Sequence, residues 1–475
     1  MSRRTGAQFT GMLAARVTAN ALQAINVIVL ARAVTPDLIG VASAVIGLGM
    51  VVFTVTDLGA STYVMRQFAE RDMVGVRSGL RLINLSGWLA CIGATALAAA
   101  VHGPLGLPFA MLPLVASVAV DRLVEYRLAV PIAATSTAVP AVSILLRRSI
   151  QFIGFLLMWQ MGTGVVAAYS LSQLIGALAG YVHSMRFLPR YLDTSTPATV
   201  PIRTIVVQSF PYLVNNVSVH IQLLDTFLVT TLAGAFRGGM YSAAMRVTSP
   251  LLLIPGTLAA AVLPAATRAT PYAARSVARR MTLAIPLMVI MAAAGGTAFA
   301  EPVCVLLFGA EYAAAAAPLT LLLMTFPFAV LAAALSAALQ ARGDQVRVAR
   351  VGLVGAAAFI LAVGAGAWIH GAVGAAAGGL AAVSVKCLPL IFWATRPKHR
   401  AHSWSRQRSF VSIPTVGELS SELPATHSHP SPTMGGHRRV RRHRCGDRRA
   451  RGRRSTLTVQ VDGSDGGRHV RRGLG

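Results

Sequence analysis

Twelve stretches of this chain are long and apolar enough to cross a lipid bilayer, and that pattern constrains the fold more than any motif does. A membrane-spanning helix takes about 20 largely apolar residues. Such runs lie near residues 11–33, 41–64, 82–101, 104–120, 138–161, 164–185, 205–232, 240–266, 282–300, 314–340, 351–368 and 372–394. Only 12% of the 475 residues are charged and 55% are hydrophobic, with a mean hydropathy of +0.62; a soluble domain carries roughly 25% charged residues. The fold class expected is an all-α polytopic membrane protein. The opening "MSRRTGAQFTGM" has the charged start of a signal peptide, but apolar text continues to Val34 without a small-residue cleavage site, so a first membrane helix is expected instead. Cys91, Cys304, Cys387 and Cys445 show no metal-ligand or disulfide spacing.

Basic residues in the short loops set the orientation. With the N-terminus in the cytoplasm, the inside segments hold Arg3 and Arg4, then Arg66, Arg71, Arg77 and Arg81, then Arg122 and Arg127. The same side continues with Arg186, Arg190 and Arg203, then Arg268 to Arg280, then Arg342 to Arg350, and finally Arg396, Lys398 and Arg400. The opposite turns are short and nearly uncharged, with Arg237 standing out. Both termini are therefore expected on the cytoplasmic side.

The chain also repeats itself at an offset of 199. "QAINVIVLARAVTPDLIGVASA" lies over "QLLDTFLVTTLAGAFRGGMYSA", pairing Gln23 with Gln222, Asn26 with Asp225, Gly40 with Gly239, Ser43 with Ser242 and Ala44 with Ala243. Spans 1 and 2 thereby match spans 7 and 8 in the same orientation, as a parallel six-plus-six duplication requires. The expected organisation is a six-helix bundle over residues 1–200, a second over 201–396, and a basic tail over 397–475.

The phrase "LARAVTPDLIGVASAVIGLGMVVFTVTDLGASTYVMRQ" resembles the opening of the polysaccharide-biosynthesis flippases, Wzx-like members of the multidrug/oligosaccharidyl-lipid/polysaccharide (MOP) exporter superfamily. "LLDTFLVTTLAGAFRGGMYSAAMRV" resembles the start of their second half, and "LFGAEYAAAAAPLTLLLMTFPFAVLAAALSAALQARGD" with "GAVGAAAGGLAAV" resembles their spans 10 to 12. The resemblance implies a V-shaped pair of six-helix bundles around a central cavity, exporting a lipid-linked oligosaccharide on a polyprenyl pyrophosphate carrier. A polysaccharide polymerase and glycosyltransferases are the partners such a role brings with it.

Polar side chains inside the spans are the candidate site, because a charge at the bilayer centre costs about 2.5–3.5 kcal/mol on insertion scales and normally faces a bundle interior or a wet cavity. Arg16, Asn20, Gln23 and Asn26 form one helical stripe on span 1; Asn215, Ser218, Gln222 and Asp225 form another on span 7. Each stripe can line a cavity or hydrogen-bond a neighbouring helix. Arg147 and Arg148 sit either near the midplane of span 5, where they suit a pyrophosphate, or closer to the cytoplasmic headgroups by snorkelling. Arg246 has the same two readings on the outer side. Asp225 is the candidate site for a coupling cation, H+ or Na+; Asp57 is either such a site or one half of an ion pair at a gate. No other cofactor and no metal is expected.

No nucleotide-binding loop, zinc-protease motif or serine-hydrolase elbow occurs, so an enzyme is not expected. The leading reading is a flippase for a polyprenyl-linked oligosaccharide; the alternative in the same fold is a cation-coupled multidrug-type antiporter, which calls for free carboxylates in the spans. From Arg396 onward there are 18 basic residues against 5 acidic ones, and "GGHRRVRRHRCGDRRARGRRS" looks like a nucleic-acid arm. No apolar periodicity accompanies it, so the tail is expected to be disordered and drawn to anionic lipid rather than to nucleic acid. With 41 Arg and 2 Lys in the protein, out-of-frame reading of a GC-rich gene is a second account of the same text.

Overall fold

The computed structural model describes residues 3–102, 108–192, 199–252, 254–255, 258–259, 262 and 271–396. Every regular element among them is helical. Met1–Lys398 forms one compact unit; the basic tail read from the sequence lies outside the described residues.

The first half contributes α1 (Arg3–Ala33), α2 (Pro36–Thr56), α3 (Ala60–Ala69), α4 (Met73–Val101), α5 (Leu112–Arg127), α6 (Ala129–Ala133), α7 (Ala138–Gln160) and α8 (Val165–Phe187). The second contributes α9 (Ile202–His220), α10 (Asp225–Ala233), α11 (Ala235–Thr248), α12 (Pro271–Phe308), α13 (Ala316–Ala341) and α14 (Gln345–Thr395). Eight of these stretches are long and apolar enough to cross a membrane on their own. One of them, α14, holds two crossings, because His370 and Gly371 leave helical geometry and fold it into two arms. With the shorter α5 (16 residues), the interrupted pair α9 and α10, and α11 (14 residues), the described residues accommodate twelve crossings.

Local chemistry explains where the helices start and stop. Pro36 opens α2, where its missing N–H is no loss. The Asp72 carboxylate accepts the Gly75 N–H at 3.0 Å and caps α4. Leu58 and Gly59 take positive φ, 53° and 74°, and turn the chain from α2 into α3. The expected second span, 41–64, therefore ends at Thr56 rather than running on. The expected fourth span, 104–120, lies later, as α5. The expected seventh, 205–232, is interrupted by a 3-10 turn at Ile221–Leu224.

Large apolar side chains remain bare along the helices, among them Leu89 at 62%, Leu361 at 73% and Trp368 at 74% exposure. Apolar surface on that scale is unusual for a soluble monomer and is what a bilayer covers. Inside the first half, α7 packs on α1 and α8, and α5 on α4 and α8; inside the second, α13 packs on α12 and α14, and α10 on α14. The most extensive contact between the halves is α2 against α11.

Candidate functional site

The α2–α11 contact is built from the residues the sequence repeat pairs. Ser43 Oγ and Ser242 Oγ lie 2.8 Å apart, 199 positions from each other in the chain. A Cβ on Gly40 would collide with the carbonyl of Ala235, and a Cβ on Gly239 would collide with the carbonyl of Pro36. Residue 235 is residue 36 plus the repeat offset, so each half offers its glycine to the same carbonyl of the other, the reciprocal pattern of a two-fold contact. Beside it, the Arg32 guanidinium at the end of α1 donates to the carbonyls of Leu306 (through Nη2) and Leu307 (2.9 Å from Nε), satisfying the last turn of α12.

At the other end of α2 the halves meet again. Ser209 Oγ donates to the Leu58 carbonyl at 2.7 Å, and the Arg66 guanidinium donates to Tyr212 Oη at 3.0 Å. Asp57, buried at the α2–α3 turn, accepts the Ser61 N–H at 3.2 Å and the Ser61 hydroxyl at 2.7 Å. Its carboxylate is thus the N-terminal anchor of α3. The salt bridge considered for it at a gate does not form among the described residues.

Arg147 and Arg148 do not stand as two free cations. Arg147 is 1% exposed. Its stem lies across Gly180 of α8, where a Cβ would strike it, and one turn earlier Gly176 makes room for the Gln151 side chain and the Arg147 carbonyl. Its head pairs with Asp121 of α5 and, at 3.6 Å, with Glu125. Arg148 reaches the same Asp121 at 3.3 Å and donates to Gln151 Oε1 at 2.7 Å. Removing water from a charge is tolerable when the charge is paired and hydrogen-bonded, and here one carboxylate serves two arginines.

On α1 the stripe is continuous. Arg16 and Asn20 are exposed and line a cavity of about 350 Å³ with Glu125, Pro140 and Arg147. Deeper along the helix, Gln23 Oε1 and the buried Asn26 Oδ1 have no hydrogen-bond partner among the described residues. Arg16 has no carboxylate partner among them either.

The stripe expected on span 7 is divided. Asn215 and Ser218 belong to α9, Gln222 to the 3-10 turn, and Asp225 opens α10, so the four do not share one uninterrupted α-helical face. The Asn215 side chain lies outside the described residues. Ser218 Oγ donates back to the Val214 carbonyl at 2.7 Å. Gln222 lines a cavity of about 220 Å³ with Ser336, Phe359 and Lys386. Asp225 is buried and accepts the Thr226 N–H at 2.6 Å and the Tyr241 hydroxyl at 3.1 Å. Arg246 on α11 has Tyr169 and Arg148 of the first half as its electrostatic neighbours and no acidic partner among the described residues.

Three charged residues in or at the spans were missed by the sequence reading. Asp121 and Glu125 fell past the end assigned to span 4, although their spacing of four residues, bracketing Arg122, was legible as one helix face. Lys386 lay in plain view as the one lysine inside an apolar run.

No protein-family model matches the sequence, and no curated protein matches it. Solved structures do. An inward-facing multidrug resistance MATE family transporter of the MOP superfamily superposes with a TM-score of 0.61 at 15% identity, over 79% of this chain and 93% of that one. The lipid II flippase MurJ, in an inward closed conformation, gives 0.64 at 14% identity, over 81% and 87%. A Vibrio cholerae MATE transporter gives 0.53 at 14%, over 83% and 95%. At these identities the likeness establishes the architecture: the chain has the twelve-helix fold of MOP-superfamily transporters.

Proposed function

We propose that this protein is a bacterial inner-membrane flippase that moves a polyprenyl-(pyro)phosphate-linked oligosaccharide across the bilayer by alternating access, for surface polysaccharide assembly. One observation carries the reading: the uncommitted charge of the interior is positive. The Asp57, Asp121 and Asp225 carboxylates are each occupied by donors of this chain, and Glu125 is shared between Arg122 and Arg147. Arg16 and Arg246 have no such partner among the described residues. Fixed cations with vacant donors favour an anionic headgroup such as a pyrophosphate, and the amides of Asn20, Gln23 and Gln222 are suited to sugar hydroxyls. The reciprocal α2–α11 contact is a surface across which two similar halves can rock.

A multidrug-type antiporter, favoured by the MATE structures among the similar folds, needs a carboxylate free to take a cation. In such a protein Asp225 is the candidate for H+ or Na+, once Thr226 and Tyr241 release it. In the flippase reading the termini are cytoplasmic and the cargo is supplied by glycosyltransferases and consumed by a polymerase. Deletion of the gene tests it: lipid-linked oligosaccharide is expected to accumulate in the cytoplasmic leaflet while surface polysaccharide falls. Unchanged polysaccharide with no accumulating intermediate, in a strain without a second such transporter, overturns it.

A further inference from the structure

Near the ends that the two arms of α14 share, four basic residues differ in what they have to bind. Arg347 pairs with Asp344 at 3.6 Å and lies over the Trp393 ring at 5.7 Å. Arg342 donates to the Ala394 carbonyl at 2.9 Å. Arg350 and Lys386 have neither a hydrogen bond nor an acidic partner among the described residues.

Lys386 is nine residues before Thr395, about 13 Å along the helix, and does not simply run toward the end of its own arm. Its Cγ and Cδ lie over Gly355 of the other arm, in space that any larger residue at 355 would take. The side chain thereby borders two cavities. One, of about 220 Å³, holds Gln222 and Ser336. The other, of about 290 Å³, is a groove with Arg350 and Trp393 at one end and Val351, Val354, Val385 and Pro389 along its walls. The walls of this groove are bare apolar side chain: Val354 is 68% exposed and Val385 59%. This is the face a bilayer covers. Intramembrane cations without a partner are rare and mark functional positions, and basic pockets between membrane helices take lipid headgroups.

We propose that Lys386 and Arg350 form a site for the phosphate of an anionic membrane lipid, with the acyl chains lying along the Val351–Val354 wall. Charge complementarity selects the headgroup, and the apolar groove opening onto the lipid-facing surface selects a lipid over a free anion. The site is separate from Arg16, Arg147, Arg148 and Arg246, and it stands whether or not the cargo is an oligosaccharide.

The test is native mass spectrometry of the full-length purified protein, titrated with phosphatidylglycerol or phosphatidylcholine, or with inorganic phosphate as competitor. The wild type is expected to retain phosphatidylglycerol over phosphatidylcholine. Lys386→Gln and Arg350→Gln are each expected to weaken that retention about tenfold, Lys386→Arg to keep it, and Arg279→Gln, on an exposed cation of α12, to leave it unchanged. Millimolar inorganic phosphate is expected not to displace the lipid. Should Lys386→Gln fail to fold, Arg350→Gln carries the same measurement. Retention unchanged in both Gln variants, an equal loss in Arg279→Gln, or displacement by inorganic phosphate overturns the proposal.

Discussion

The two halves of this molecule share a helix plan and spend their charges differently. In the first half, Arg147 and Arg148 converge on Asp121, Arg122 on Glu125, and Arg127 donates to Ser184 Oγ at 3.0 Å and to Asn84 Oδ1. In the second, Arg347 pairs with Asp344 but Arg246, Arg350 and Lys386 have no carboxylate beside them among the described residues, a state that Arg16 shares in the first half. The difference teaches that an arginine inside a membrane span is not by itself a binding residue. Its role follows from whether the chain has already supplied its counter-charge.

The largest effect is expected where a buried pair is broken. Asp121→Asn leaves the buried Arg147 with only Glu125, at 3.6 Å, as counter-charge and should lower stability by about 3 kcal/mol, read as a loss of folded protein on size-exclusion chromatography and a lower Tm. Replacing both Asp121 and Arg147 by leucine or methionine should recover part of that loss, since the deepest charge leaves together with its partner and only Arg148 still lacks Asp121. Recovery failing would show that Arg147 does more than hold the bundle.

Gly180→Leu comes next. The new side chain must displace the Arg147 stem, and overpacking of this kind typically costs about 1–3 kcal/mol. Arg246→Gln, in the other half, should leave Tm unchanged and reduce transport by tenfold or more, equivalent to about 1.4 kcal/mol of lost cargo interaction. A drop in Tm with transport per folded molecule intact would reverse the assignment of roles.

The smallest effects fall on the two buried aspartates, where the halves should behave alike. Ser61→Ala removes a hydroxyl donor from Asp57, and Tyr241→Phe removes one from Asp225. Each is expected to cost about 1 kcal/mol by thermal melts. A Tyr241→Phe protein that melts normally but loses cation dependence of transport would make Asp225 a coupling site and not a structural acceptor.

The spans were legible because hydrocarbon admits few alternatives: the turn between spans 11 and 12 was marked by "HGAVG", and the bend falls at His370 and Gly371. The repeat was legible too, and Ser43 and Ser242, paired by it in the sequence, are in contact. The interruption of span 7 was not, because Ile221–Leu224, with three apolar residues in four, carries no proline or glycine to mark a 3-10 turn. Nor was the neutralisation of Arg147, which depends on α5 reaching Arg127 and on Gly180 leaving space for its stem. Those are tertiary facts, spread over three helices. Asp121 and Lys386 were visible as letters, and what each faces comes from the packing of α5 on α8 and of one α14 arm on the other.

The most direct measurement is transport by the purified protein in proteoliposomes, following a fluorescent polyprenyl-pyrophosphate oligosaccharide and, in parallel, the cationic dye ethidium. With its uncommitted interior charge positive, the protein is expected to flip the pyrophosphate-linked glycan, to do so poorly as Arg246→Gln, and to leave ethidium where it was. Ethidium export driven by a cation gradient, with the glycan left in its original leaflet, would contradict the account.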